Sequence, residues 1–195
     1  KFGGNFVAET ARKPIEDLSK LFEKLRKDKK FLKKRDHYFK HFLGGETPFF
    51  KLKNLTNHLG GAQIWCKDVS AINGDAHKAY HATVNALICK ESGKKFIAGD
   101  TGAGMFGKNL ALAAKKMGLT AKIFMGTKDI ERQAPNVKFM REAGAEVVPV
   151  DSGSKTLVDA VSECMRHYVS NCDNTHLAVG SAIGANVFMK ICAWS

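Results

Sequence analysis

Two short stretches carry residue types that can do chemistry. The first, Asp75-Ala76-His77-Lys78, opens a segment of helical periodicity. An ammonium at the positive end of a helix has its charged form disfavoured, which is one route to a nucleophilic amine able to form an imine. By position alone Lys78 also reads as one of many solubilising lysines, and His77 as a structural histidine. The second stretch is Asp100-Thr101-Gly102-Ala103-Gly104-Met105-Phe106-Gly107, set between a strand and a helix. Its glycines follow Gly-x-Gly-x-x-Gly, which lets backbone amides approach an anion at a helix N-terminus. As a dinucleotide fingerprint it is weak. Asp100 and Thr101 intervene after the strand, and the next strand ends Met125-Gly126-Thr127 with no acid to hold a ribose. The expectation is an anion cradle that requires no pyrophosphate, with a tight-packing turn as the structural alternative. Asp100, beside that cradle at a strand end, is the acid–base candidate, although Asp at a turn is also a routine cap.

The elements that must position these residues show a regular beat. Apolar runs at 96–99, 121–125, 146–150 and 175–179 alternate with segments of helical period at 107–117, 133–143 and 154–169, the first two closed by Gly118 and Gly144. Strands buried on both faces and separated by helices predict an open, mostly parallel α/β sheet. Such sheets bind ligands beyond the carboxyl ends of their strands. Upstream, a strand is expected over 63–67 and a helix over 76–90. Asp75 is the expected N-cap of that helix, and Tyr80, Val84, Leu87 and Ile88 its buried stripe.

Composition narrows the class. The 195 residues include 31 Lys and Arg against 19 Asp and Glu, a formal charge of +12, with 44% hydrophobic residues, enough for a real core. No apolar run is long enough to span a bilayer, and no secretory leader is recognisable. Five cysteines, odd in number and without a Cys-x-x-Cys pair, point to reduced thiols in a cytosol-like, cytoplasmic setting, with neither disulfides nor a metal site expected. Ten of the Lys and Arg fall between Lys20 and Lys40, against three acids. There Leu18, Leu21, Phe22 and Leu25, followed by Phe31, Leu32 and Phe39, predict one or two amphipathic helices with a solvated basic face. That reading is preferred to nucleic-acid binding. Asn54-Leu55-Thr56 matches a glycosylation acceptor by chance.

Several stretches occur together in fixed order: Phe2-Gly3-Gly4, Ala76-His77-Lys78, Thr101-Gly102-Ala103-Gly104, Met125-Gly126-Thr127-Lys128-Asp129-Ile130-Glu131-Arg132-Gln133, Pro135-Asn136-Val137, the segments 144–150 and 152–154, and Gly180-Ser181-Ala182-Ile183-Gly184. In this the chain resembles the β chain of tryptophan synthase, a pyridoxal-phosphate family, over nearly its whole length. The resemblance implies the type II pyridoxal-phosphate fold, here its N-terminal part, and pyridoxal 5'-phosphate as cofactor. It implies replacement of the L-serine hydroxyl by indole to give L-tryptophan, with a synthase α chain and a second β chain as partners. By the same resemblance Lys78 matches the lysine that holds the cofactor as an internal aldimine, and His77 lies near the cofactor phosphate. Thr101, Gly102, Ala103, Gly104, Met105 and Phe106 match the loop that binds the substrate carboxylate, and Asp100 stands where the family has a catalytic glutamate. Residues 1–92 correspond to the N-terminal helices and the lysine-bearing unit, 93–180 to a mobile domain that closes over substrate, and 181–195 to the start of a return segment.

The departures cluster at the site. Lys67-Asp68-Val69-Ser70 replaces Lys-Arg-Glu-Asp, Asn73-Gly74-Asp75 replaces His-Thr-Gly, Tyr80 replaces an asparagine, and Met105-Phe106 replaces Gln-His. Family chains are about twice as long. The competing expectation is therefore a truncated or degenerate homologue that serves as a non-catalytic binding or assembly module.

Overall fold

The computed structural model describes residues 4, 5 and 7–195. Phe2 and Gly3 of the first motif lie outside the described residues. The chain opens with two helices, α1 (Glu9–Leu25) and α2 (Lys29–His41). On α1 the residues Ala11, Ile15, Leu18, Phe22 and Leu25 recur at helical spacing and are buried, while Leu21 stands half-buried at the edge of the stripe. Asp28 caps α2 by accepting from the Lys30 N–H at 2.7 Å. The basic residues of these helices face solvent or tie them inward, with Lys34 paired to Glu91 at 2.6 Å and the Arg35 guanidinium 4.6 Å from the Trp194 ring centre.

Next come β1 (Phe49–Lys51), the short α3 (Lys53–Leu59) and β2 (Trp65–Lys67). The strand expected over 63–67 is thus shorter, and it joins no parallel sheet: β1 and β2 pair antiparallel as a separate two-stranded ribbon. The main unit follows, with α4 (Lys78–Glu91), β3 (Phe96–Asp100), α5 (Met105–Met117), β4 (Thr120–Gly126), α6 (Thr127–Arg132), α7 (Ala134–Glu142), β5 (Glu146–Val150), α8 (Leu157–Asn171), β6 (Thr175–Ala178) and α9 (Asn186–Trp194). The four strands form a parallel sheet in the order β5-β4-β3-β6, the expected α/β architecture. Helix α8 lies across all four strands on one face, and α4 and α5 pack on the other. Gly118 and Gly144 take left-handed backbone after α5 and α7, as their positions predicted.

Two expectations about α4 are corrected. Its buried surface is no stripe, because every residue from His81 to Cys89 is buried while Tyr80 is half-buried. The helix is wedged among β3, β6, α2, α5 and α9, so no face is left for water. Its N-cap is His77, and Asp75 plays another part, described below.

Candidate active site

Strand order reverses between β3 and β6, and the loops leaving these two strands diverge there. That is where open parallel sheets place ligands. Asp100 ends β3 and Gly180 lies just past β6. The Gly180 backbone is held at both ends: its N–H donates to Asp100 Oδ1 at 3.3 Å, and its carbonyl accepts from Lys78 Nζ at 2.7 Å. Lys78 therefore points inward from the first turn of α4, and no carboxylate among the described residues forms an ion pair with it. One turn on, His81 Nε2 donates to the Val179 carbonyl at 2.8 Å, so the opening of α4 pins two consecutive residues of the β6 exit. A carbonyl only accepts, which fixes the proton of neutral His81 on Nε2.

Asp100 is 4% exposed. Burial pushes its carboxyl above the usual carboxylate range, while the Gly180 N–H and the Lys78 charge pull it partly back. Phe106 closes the apolar side of the site. Its ring centre lies 5.9 Å from Lys78 Nζ and 5.4 Å from the His81 ring. It packs on bare backbone, because a Cβ at Gly180 would stand 2.9 Å from its Cδ1.

The glycine loop supplies backbone donors. The Thr101 N–H is used by the Phe124 carbonyl at 3.0 Å, and its hydroxyl accepts from the Gly107 N–H at 3.3 Å. From Gly102 to Phe106 no N–H meets an acceptor among the described residues, leaving a run of free donors at the N-terminus of α5. Gly104 has φ +90° and sits against Asn136, whose Nδ2 donates to the Ala103 carbonyl at 2.9 Å and ties the loop to α7.

Asp75 ties the lysine segment to this loop. It has φ +57°, and its carboxylate pairs with Lys108 Nζ at 2.6 Å rather than capping α4. Beside it Asn109 Nδ2 donates to the Gly74 carbonyl at 3.1 Å and to the Met105 carbonyl at 2.8 Å. The turn before Lys78 and the amide loop are thus fastened to one helix. His77 is exposed, and its side chain makes no cap hydrogen bond. Reasoning from sequence missed Asn109, His81 and the function of Gly180 as a shared anchor. A polar residue inside an otherwise apolar helical stripe was the available signal for the first two.

Comparison with known proteins decides the family. The family described as "Pyridoxal-phosphate dependent enzyme" matches residues 41–185. The chain belongs to the pyridoxal-phosphate dependent enzymes. Relatives named "Tryptophan synthase beta chain" from Acinetobacter calcoaceticus and Acinetobacter baylyi are 40% identical over 189 residues, covering 97% of this chain and 47% of theirs. The chain thus spans about half the length of these curated relatives. Among solved structures, Escherichia coli diaminopropionate ammonia lyase in complex with D-serine superposes with a TM-score of 0.62 at 21% identity, over 82% of this chain and 44% of that one. A pyridoxal 5'-phosphate-dependent aspartate racemase gives 0.59 at 20% identity, over 77% and 44%. These two likenesses establish the fold.

The site fits the cofactor of pyridoxal-phosphate dependent enzymes by its donor set. A half-buried primary amine that pairs with no carboxylate among the described residues is what an aldehyde requires, and the Phe106 ring packed on the bare Gly180 backbone gives it an apolar flank.

Proposed function

We propose that this chain forms the lysine-bearing half of a pyridoxal-phosphate site for β-replacement of L-serine by indole, yielding L-tryptophan. The observation that carries the reading is the convergence of the Lys78 amine and the Asp100 carboxyl on the backbone of one residue, Gly180, beside free backbone donors. The 40% identity to chains named as tryptophan synthase β supports the substrate assignment.

Each group has a task its position supports. The amides from Gly102 to Phe106 take the substrate carboxylate. Lys78 anchors the cofactor from the opening turn of α4, with His77 preceding it toward the phosphate, and its amine moves the proton at the serine Cα. Asp100, held protonated to higher pH by burial, gives a proton to the departing serine hydroxyl oxygen. Phe106 keeps water from that side. When bound, pyridoxal phosphate supplies the electron sink that stabilises negative charge at Cα. Residues 93–180 act as the closing unit over a base formed by 1–92, and 181–195 lead back toward the remainder of such a site. A synthase α chain and a second β chain are the proposed partners, and a reducing, cytoplasmic setting suits five free thiols. Among the described residues no helix is long and apolar enough to cross a membrane.

Titration of pyridoxal phosphate into the purified chain tests the reading. A visible absorption should develop that Lys78→Ala abolishes, and borohydride reduction should fix the cofactor on the Lys78 peptide in mass spectra. Absence of any Lys78-dependent signal at saturating cofactor would overturn the proposal in favour of a non-catalytic assembly module.

A further inference from the structure

A cavity lies at the end of the strands opposite the Lys78 site. It encloses about 700 Å³ where the N-terminal ends of β3 and β6 meet α1, the last turn of α4 and the end of α8. Pro14, Leu18 and Leu21 of α1 form an apolar wall, and Lys94, Tyr168 and His176 form a polar floor. The floor is built from two buried side chains, Tyr168 and His176, and the half-buried Lys94, all with unused capacity. Tyr168 is 1% exposed, and its hydroxyl has no hydrogen-bond partner among the described residues. His176 is 2% exposed and donates through Nε2 to Asn85 Oδ1 at 3.0 Å, which leaves Nδ1 as an acceptor that no described residue engages. Lys94 donates to the Thr175 carbonyl at 3.1 Å, lies 5.8 Å from the Tyr168 ring centre and forms no ion pair among the described residues.

The rim carboxylates Asp17 and Asp173 favour the charged form of that lysine from a distance, but neither pairs with it. Asp17 is paired with Lys13 at 2.5 Å and Glu91 with Lys34 at 2.6 Å. Asp173 is exposed at the mouth. Uncompensated buried polar groups are uncommon in native cores, and a set that lines one cavity is the arrangement by which small-molecule sites fix orientation.

We infer that this cleft binds a small amphipathic carboxylate bearing a hydroxyl or N–H group. The carboxylate meets the spare protons of Lys94 and the Tyr168 hydroxyl. The ligand's donor meets His176 Nδ1, and its apolar body lies against Pro14, Leu18 and Leu21. The cation, the hydroxyl and the acceptor nitrogen define this chemistry together, because each lacks a counterpart that one α-hydroxy or α-amino acid with an apolar group supplies. The cleft is separate from the Lys78 site, and the inference stands whether or not the chain binds pyridoxal phosphate.

Racemic mandelate is the probe: its carboxylate, α-hydroxyl and phenyl ring match the three features. Calorimetric titration of the full 195-residue chain should show saturable binding, and mandelamide, which lacks the charge, should bind at least about tenfold more weakly. Tyr168→Phe removes only a hydroxyl that no described residue engages. It should leave the thermal midpoint unchanged while weakening mandelate about fivefold. Lys94→Gln should weaken it about tenfold or more, with Lys94→Arg restoring part of the affinity. No heat of binding at mandelate concentrations of ~10 mM, equal affinity for mandelamide, or undiminished affinity in both Tyr168→Phe and Lys94→Gln would overturn the assignment.

Discussion

Burial shifts Asp100 and the two core histidines in senses that oppose one another in stability. His176 is pushed down to about 3 by desolvation, and His81 is lowered by the same cause. Between pH 6.5 and 3 the unfolded chain binds the proton that folded His176 refuses. The stability due to neutral His176 is therefore complete above its unfolded pKa and is lost as pH falls, at about 1.4 kcal/mol per pH unit in that window. Asp100 has the reverse sign, since its raised pKa lets the folded state hold a proton longer and costs stability as pH rises through the carboxylate range. Urea midpoints measured from pH 7 to pH 4 should fall for the native chain and fall less for His176→Gln. An unaltered slope would show that another group governs acid unfolding. Asp100→Asn keeps an acceptor for the Gly180 N–H but cannot transfer a proton. In the β-replacement proposed above it should cut serine turnover on the order of a hundredfold or more while leaving the Lys78-dependent absorption intact. Loss of the absorption in that variant would mark Asp100 as a structural residue instead.

At the scale of elements, the site depends on how the start of α4 is moored to α5. Gly74 has φ +105°, and a Cβ there would stand 1.8 Å from Asn109 Oδ1, so that Asn109 can reach the Gly74 carbonyl only past a glycine. Gly74→Ala should destabilise the chain by about 1–3 kcal/mol, seen as a thermal midpoint lowered by several degrees. It should weaken pyridoxal phosphate binding further than the stability loss explains, because Lys78 begins the helix that the turn delivers. Equal affinity in the two proteins would show that α4 finds its place by core packing alone. The first two helices were readable for a related reason: their apolar spacing survives among many lysines. The helix carrying Lys78 was misread as amphipathic because polar His81, Thr83 and Asn85 are buried beside its apolar residues. Periodicity registers residue type, and it cannot see that His81 reaches Val179 and Asn85 reaches His176.

For the whole molecule, the unbalanced feature is the β1–β2 ribbon with α3. Phe49 is 64% exposed and Trp65 51%, their rings stacked 5.2 Å apart, with exposed Leu55 and Leu59 on α3. An apolar cluster of this kind limits solubility when left uncovered. Replacing Phe49 and Trp65 together by Ser should raise the concentration at which the chain stays monodisperse in sedimentation, without lowering its thermal midpoint. No change in sedimentation would show that the +12 charge already keeps chains apart.

The amino-acid order alone determined the beat of strands and helices, the parallel sheet, the glycine turn at an α5 start and, through resemblance, the family that comparison establishes. It determined these because apolar periodicity and cap residues act over a few positions along the chain. Tertiary structure alone decided that β6 inserts beside β3, that Gly180 unites a lysine and an acid far apart in sequence, that Asp75 turns to Lys108, and that Tyr168 and His176 share a cavity floor. Most of those contacts join residues separated by tens of positions, and their partners are fixed by packing and burial, which no local pattern records.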